Sequence, residues 1–148
     1  MVKDVGQKPM PLTENDVIDA CAKHLSGAGY VVEKVCRTSE RGVDIVARCT
    51  RTGSRIFVEA KGATSSKSHS ARFGRPFDRG QARSHVSRAL FEAARLASSA
   101  KPGDEAALAF PADTHHESLA VEILPALGRL PASVFWVSND GEVRWWRG

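Results

Sequence analysis

The alternation of apolar and polar residues along the chain predicts helices and strands in a mixed order. Over residues 17–25, apolar side chains recur at steps of three and four, which is the spacing of one helix face. Thr13 precedes this run and Asp16 follows three positions later, as in a capping box, so we expect a helix to begin there. Gly27 and Gly29 are typical of its end.

Three short segments rich in β-branched residues follow and predict strands. Their sequences are YVVEKVCR (30–37), GVDIVAR (42–48) and RIFVEAK (55–61). The polar turn Thr-Gly-Ser at 52–54 joins the second and third strands into an antiparallel hairpin.

The second half of the chain predicts another helix, a strand, a helix and a closing hairpin. Residues 62–79 are rich in Ser, Arg and Gly and have no period, so we expect a functional or disordered loop. A helix over 80–98 has a buried stripe, and its opposite face carries Gln81, His85, Arg88, Glu92 and Arg95. EAALAF (105–110) is a buried strand, a helix in 114–130 is interrupted or ended near Pro125, and SVFWVSNDGEVRWW (133–146) forms a hairpin.

This order, α-β-β-β-α-β-α-β-β, predicts an α/β domain in which helices cover a mixed central sheet. We interpret residues 1–12 as a flexible N-terminal arm and 13–148 as one domain. No apolar run approaches the roughly 18 residues of a membrane span, and the N-terminus has no signal-peptide core. The expectation is a cytoplasmic protein. The three cysteines are widely spaced and predict small core residues or free thiols, not a zinc site or disulfides.

Charge is unevenly distributed along the chain. The formal net charge is +4, but residues 37–95 hold 13 Lys and Arg against 5 Asp and Glu, a net of +8. Such a basic middle favours a polyanion such as nucleic acid as partner. The alternative is an Arg-rich surface that serves solubility alone.

Three charged residues interrupt the predicted hairpin and carry the candidate chemistry. Glu59 and Lys61 lie on one face of their strand, and the hairpin ladder places Asp44 beside one of them. Two neighbouring carboxylates repel unless a cation lies between them, and Mg²⁺ prefers such oxygen ligands, with the Ala60 carbonyl as a third. Lys61 would position the attacking water or stabilise the developing charge, which predicts phosphodiester hydrolysis. The alternative is a structural ion pair at a strand end.

These residues resemble the motif of the PD-(D/E)xK nuclease superfamily. Asp44, 14 intervening residues and Glu59-Ala60-Lys61 match it, although Val43 stands where a proline is usual. The resemblance covers roughly residues 13–110. Within the superfamily, the chain is similar to the branch that contains archaeal Holliday-junction resolvases and methylation-dependent restriction nucleases. This resemblance implies a restriction-endonuclease-like fold, Mg²⁺ or Mn²⁺ as cofactor, and DNA as substrate. It also implies site roles for Glu14 and Gln81, which are otherwise a first-turn residue and a polar-face residue.

The basic loop after the third strand predicts a DNA contact. We expect phosphates to be bound by Lys67, Arg72, Arg75, Arg79 and Arg83, in a loop that stays mobile until nucleic acid arrives. A homodimer is one expectation, since two strands need two cuts, and a protein partner that supplies specificity is another. The alternative function is a catalytically silent nucleic-acid-binding or scaffolding module of the same fold.

Histidine and tryptophan side chains outside the motif have simpler interpretations. We expect His85 to be a solvated histidine and His115 and His116 to be surface residues. The tryptophans of the closing hairpin, at 136, 145 and 146, are expected to pack in the sheet.

Overall fold

A six-stranded sheet forms the centre of the molecule. A computed structural model describes residues 10–65 and 69–148. The elements, in chain order, are α1 (Glu14–Gly27), β1 (Tyr30–Val35), β2 (Ile45–Cys49), β3 (Arg55–Ala60), α2 (Arg79–Ser99), β4 (Glu105–Pro111), α3 (Thr114–Val121), α4 (Leu124–Leu127), β5 (Ala132–Val137) and β6 (Val143–Arg147).

The strands lie in the sheet in chain order, from β1 to β6. The β1–β2 and β2–β3 pairs are antiparallel, β3–β4 and β4–β5 are parallel, and β5–β6 is antiparallel. The sheet is therefore mixed and flanked by helices, which confirms the predicted fold class and the predicted element order. The short α4 is an addition that results from the break near Pro125, which lies in its first turn.

Helix α1 begins where the capping pattern predicts. The Thr13 hydroxyl accepts a hydrogen bond from the Asp16 backbone N–H at 3.1 Å. The Asp16 carboxylate accepts one from the Thr13 N–H at 2.8 Å, so two amides at the helix start are satisfied. This cap fixes the first turn, which carries Glu14.

The two faces of the sheet carry separate cores. Helix α1 packs on one face, where its buried side chains, among them Ile18 and Leu25, meet Ile56 and Val58 of β3. Helices α2, α3 and α4 pack on the other face over β4 and β5. Consecutive residues of β4 alternate between the two cores, as a strand buried on both faces requires.

Helices α2, α3 and α4 cover only part of the sheet face on which they pack. In β3, Ile56, Val58 and Ala60 point to the α1 core, so Phe57 and Glu59 point to the opposite face. No residue of β2 or β3 belongs to the buried cluster beneath α2. This end of the sheet is consequently open on the α2 side, and the candidate chemistry lies there.

The expectation for His116 is wrong. His116 is 1% exposed, stacks on Phe110 with ring centroids 5.6 Å apart, and places Nδ1 2.8 Å from the Asp113 carboxylate. Asp113 also caps α3 by accepting from the His116 backbone N–H at 2.8 Å, so one carboxylate holds both groups. This pairing satisfies Nδ1 of the buried ring, whereas Nε2 has no hydrogen-bond partner among the described residues.

The tryptophans pack in the sheet, as predicted. Trp145 lies 4.7 Å from the ring of Phe135 and its indole N–H donates to Ser133 at 2.9 Å. Trp136 is 7% exposed. The three cysteines are free thiols. In the described part of the chain, no helix is both long and apolar enough to cross a bilayer.

Candidate active site

The β2–β3 hairpin brings Asp44 next to the end of β3. Ile45 pairs with Val58 and Val46 with Phe57, so the next antiparallel position places Asp44 opposite Glu59. The Asp44 carboxylate accepts a hydrogen bond from the Ala60 backbone N–H at 2.7 Å. The Asp44 carbonyl accepts from the Cys36 N–H at 2.8 Å. Asp44 is therefore fixed by its side chain and by its backbone.

Glu59 and Lys61 lie side by side on the open face of the sheet. The Lys61 ammonium is 3.2 Å from a Glu59 carboxylate oxygen, and both side chains are largely buried, at 15% and 16% exposure. The Lys61 backbone N–H donates to the Ala109 carbonyl of β4 at 2.9 Å, which anchors the residue just beyond β3. The geometry confirms that the two side chains are neighbours.

The surroundings of Asp44 disfavour the ionised form of its carboxyl group. Burial raises the pKa of Asp44 from 3.8 to about 7, and the nearby carboxylates of Glu59 and Glu14 raise it further. The hydrogen bond from Ala60 and the charge of Lys61 act in the opposite direction. Three carboxylates and one ammonium thus act on one another at the end of β3.

Glu14 lies near Asp44, Glu59 and Lys61, in the first turn of α1. Burial raises the pKa of Glu14, Lys61 lowers it and Glu59 raises it. The capped start of α1 holds Glu14 there because Gly62, which follows Lys61, packs directly on the backbone of the first turn. A Cβ on Gly62 would lie against the Glu14 backbone nitrogen and 2.8 Å from the Thr13 carbonyl carbon.

Replacement of Gly62 by alanine is expected to displace the start of α1. The added methyl group meets backbone atoms that cannot rotate away, so we expect Gly62→Ala to lower the free energy of unfolding by about 1–3 kcal/mol. Gly27→Ala is the matched control: it adds the same methyl group to a position with no atom within 4 Å. Urea unfolding of the two variants measures the difference; equal stabilities would contradict the close contact.

Two pockets border the group. Glu59 and Lys61 line a pocket of about 650 Å³ whose other wall is α2, with Arg88, Phe91 and Arg95. Glu14 lines a second pocket of about 420 Å³ together with Thr38, Ser39, Thr64 and His85. The site therefore adjoins concave surface on which a ligand can bind.

Gln81 caps α2. Its side-chain carbonyl oxygen accepts from the Asp78 N–H at 2.9 Å, while the Asp78 carboxylate accepts from the Gln81 N–H at 2.8 Å. The hydrogen bonds of Gln81 in the structure are thus those of a helix cap, with Asp78, and not with Asp44 or Glu59. Its site role stays a prediction, and the pattern Asp-x-x-Gln at 78–81 was the sequence signal for the cap.

The expectation that His85 is solvated is wrong. Its ring is half-buried, edge-on to Phe77 at 4.8 Å, and 6.1 Å from the ring of His116. Burial lowers the pKa of His85 to about 4, and the charges of His116 and Lys61 lower it as well. His85 is accordingly neutral at pH 7 and forms part of the pocket wall next to Glu14.

The basic residues predicted to contact DNA are on the surface where the structure describes them. Exposed side chains are those of Arg72, Arg75, Arg79 and Arg83. Arg79 donates to the Ser118 hydroxyl of α3 at 2.8 Å. Lys67 lies outside the described residues. The described part of the loop is anchored by hydrogen bonds from Thr64 to the Arg72 carbonyl and from the Phe77 N–H to the Ala63 carbonyl.

The oxygen atoms at the end of β3 are of the type that binds a hard divalent cation. Asp44 and Glu59 offer carboxylate oxygens, and the Ala60 carbonyl points to the same strand edge as its N–H, which Asp44 binds. Among the described residues, no three His, Cys, Asp or Glu side chains are arranged as a metal site. The predicted set has two carboxylates and a backbone oxygen, so Mg²⁺ there would keep several water or phosphate ligands.

Sequence reasoning missed two features of this site. Gly62 had no signal, because its contact with α1 joins segments almost 50 positions apart. Arg88 and Arg95 were recognised as one polar face of α2, but nothing in the pattern indicated that this face borders Glu59.

Comparisons with known proteins agree with the geometry. Residues 12–76 match the Mrr_cat family model, described as restriction endonuclease. That segment contains Glu14, Asp44, Glu59 and Lys61 and ends before α2. No curated protein sequence matches this chain.

A solved structure shares the fold. The crystal structure of a FdxN element excision controlling factor protein from Anabaena variabilis superposes with a TM-score of 0.53, at 16% sequence identity. The match covers 90% of this chain and 99% of that chain. The resemblance predicted from the motif is thus confirmed: the chain has a restriction-endonuclease-like fold, and residues 12–76 match the restriction endonuclease family.

Proposed function

We propose that this protein is a Mg²⁺- or Mn²⁺-dependent endonuclease that hydrolyses DNA phosphodiester bonds. The observation that carries the proposal is the meeting of Asp44, Glu59 and Lys61 at the end of one hairpin, on the sheet face that α2 leaves open. The match of residues 12–76 to a family described as restriction endonuclease supports it, since these residues lie inside the match.

Each side chain has a distinct role in the proposed reaction. Asp44, Glu59 and the Ala60 carbonyl would hold the metal ion, which when bound lowers the pKa of a water and neutralises phosphate charge. Lys61 would orient the attacking water and offset the negative charge that develops on the phosphate. Glu14 adds a third carboxylate that favours a cation at this place.

DNA is the proposed substrate because the segment of the chain that carries the site is strongly basic. Residues 37–95 carry a net charge of +8, and Arg72, Arg75, Arg79 and Arg83 are exposed. With Lys67, they would bind phosphates on either side of the scissile bond without reading the base sequence. We propose the cytoplasm as the location, and homodimerisation or a specificity-providing partner protein as further parts of this function.

The test combines metal binding with cleavage. Wild-type protein is titrated with Mn²⁺ by calorimetry and then incubated with supercoiled plasmid and Mg²⁺ or Mn²⁺. We expect binding and conversion to nicked or linear DNA, and loss of both in Glu59→Gln, which keeps the side-chain shape but removes the charge. Glu122→Gln, on the exposed end of α3, is the control and should behave as wild type. Cleavage that persists in Glu59→Gln would contradict the proposal.

A catalytically silent module of the same fold is the second candidate. The Lys61–Glu59 ion pair and the Asp44–Ala60 hydrogen bond each satisfy buried polar groups and would serve a purely structural hairpin end as well. Such a module would bind DNA and give no metal-binding heat. The same titration therefore separates the two functions.

A further inference from the structure

Helix α2 presents an exposed aromatic ring beside the candidate active site. Phe91 is 67% exposed, the highest value among the large apolar side chains of the described residues. It lines the 650 Å³ pocket together with Glu59 and Lys61. Isolated apolar side chains are common on surfaces, but this one borders the groups proposed to cut DNA.

Arginine side chains flank the ring on the same face of the helix. Arg88 and Arg95 lie three positions before and four positions after Phe91, so all three project from one side of α2. Both arginines line the pocket. Arg95 pairs with Glu92 at 2.7 Å, whereas Arg88 forms no ion pair with any residue of the described ranges. Its guanidinium is accordingly available to a phosphate.

The charge and size of the pocket fit a nucleotide. Its ionisable lining comprises Lys61, Arg88 and Arg95 against Glu59 and Glu92, one more cation than anions. The volume lies within the range of about 300–1,000 Å³ that is typical of small-ligand pockets. An aromatic ring and a guanidinium on one wall are the groups with which proteins bind a base and its phosphate.

A base in the interior of a duplex cannot use this ring, because its neighbours in the stack already cover both of its faces. Only an unpaired base can stack on Phe91 while its phosphate lies near Lys61. We propose that α2 binds an unpaired nucleotide adjacent to the scissile phosphate, so that the preferred substrate is DNA with single-stranded character, such as a tail, gap or branch. This inference rests on the proposed function and specifies its substrate.

Binding is measured without cleavage, so the inference is tested independently of catalysis. Fluorescence anisotropy in EDTA compares a blunt duplex with the same duplex carrying a short single-stranded tail. We expect wild type to prefer the tailed DNA. Phe91→Ala should weaken tailed binding by roughly 5- to 150-fold, as stacking on one base contributes about 1–3 kcal/mol, and leave duplex binding unchanged. Phe91→Trp, which keeps an aromatic ring at this position, should retain the preference for tailed DNA.

Two further variants act as controls. Val121→Ala removes an apolar side chain that is 62% exposed on α3 and should change nothing. Arg88→Ala should weaken tailed and blunt DNA alike, because phosphate contacts do not depend on pairing. Equal affinity of Phe91→Ala and wild type for tailed DNA would overturn the inference. A dimer of wild type that Phe91→Ala dissociates in sedimentation would also overturn it, since the ring would then contact a second copy.

The outcomes separate this inference from the proposed activity. Phe91-dependent binding of tailed DNA without metal-dependent cleavage would retain the binding site and reject the nuclease. Metal-dependent cleavage by the wild type, with no effect of Phe91→Ala on binding, would retain the nuclease and reject the binding site. Absence of DNA binding by the wild-type protein would reject both.

Discussion

Lys61→Ala is expected to slow cleavage of plasmid DNA by about 100- to 1,000-fold while metal binding persists. The ammonium lies 3.2 Å from Glu59 and is only 15% exposed, so its charge acts in a poorly hydrated site. Removal of a group that stabilises developing charge typically lowers kcat by about 100- to 1,000-fold. Metal binding should remain because Asp44, Glu59 and the Ala60 carbonyl are intact.

The variant separates a catalytic lysine from a structural one. The Lys61 backbone bond to Ala109 does not depend on its side chain, so the end of β3 should stay in place. Single-turnover cleavage and Mn²⁺ calorimetry are compared for wild type, Lys61→Ala and Lys101→Ala, a change at an exposed lysine far along the chain. Wild-type cleavage rates in Lys61→Ala would reject the proposed role, and loss of metal binding would show that the lysine maintains the site.

The hairpin that builds the site was predictable because its signals are local. The turn at 52–54 contains Gly53 with φ +76°, a conformation that glycine adopts without strain. Once the turn fixes the register, the two-residue period of a strand determines which face carries Asp44 and Glu59. The capping box of α1 is local too, and it placed Glu14 at the first helical residue.

The remaining parts depend on contacts that no local pattern encodes. A helical period defines the faces of α2 only relative to one another, and the crossover between β3 and β4 decides which face borders the site. Polarity predicts exposure for His116, yet the Asp113 carboxylate satisfies Nδ1 of its ring, and the ring is buried. The approach of Gly62 to Glu14 likewise results from packing between distant segments.

The arrangement that suits a cation is unfavourable for the metal-free fold. Burial and two neighbouring carboxylates oppose ionisation of Asp44, and only Lys61 and the Ala60 N–H favour it. Functional sites commonly contain such strained electrostatics. If Asp44 served only as part of a structural ion pair, its ionised carboxylate would instead stabilise the metal-free fold.

Asp44→Asn is therefore expected to stabilise the metal-free protein and to abolish cleavage. The asparagine carbonyl can still accept the Ala60 N–H, so the hydrogen bond at 2.7 Å has a replacement. Removal of a buried charge should raise the free energy of unfolding on the order of 2 kcal/mol at pH 8, since each pKa unit corresponds to about 1.4 kcal/mol and the new amide needs a partner. This corresponds to an increase in Tm of about 4–8 °C.

The stability that Asp44→Asn gains over the wild type should increase with pH. The folded-state pKa of Asp44 is raised from 3.8 to about 7, so between these values the folded protein keeps a proton that the unfolded chain has released. Wild-type stability consequently falls as pH rises through this window, and the variant lacks that fall. The difference in Tm should be smallest near pH 4 and greatest above pH 7.

Thermal unfolding in EDTA from pH 4 to 8 measures this difference. Asp140→Asn is the matched control, because the Asp140 carboxylate also accepts one backbone N–H, from Glu142 at 3.0 Å, but is exposed. It should show no comparable gain. A Tm of Asp44→Asn below that of wild type at pH 8 would mean that the ionised carboxylate stabilises the hairpin, and the structural ion pair would then be the better account of the motif.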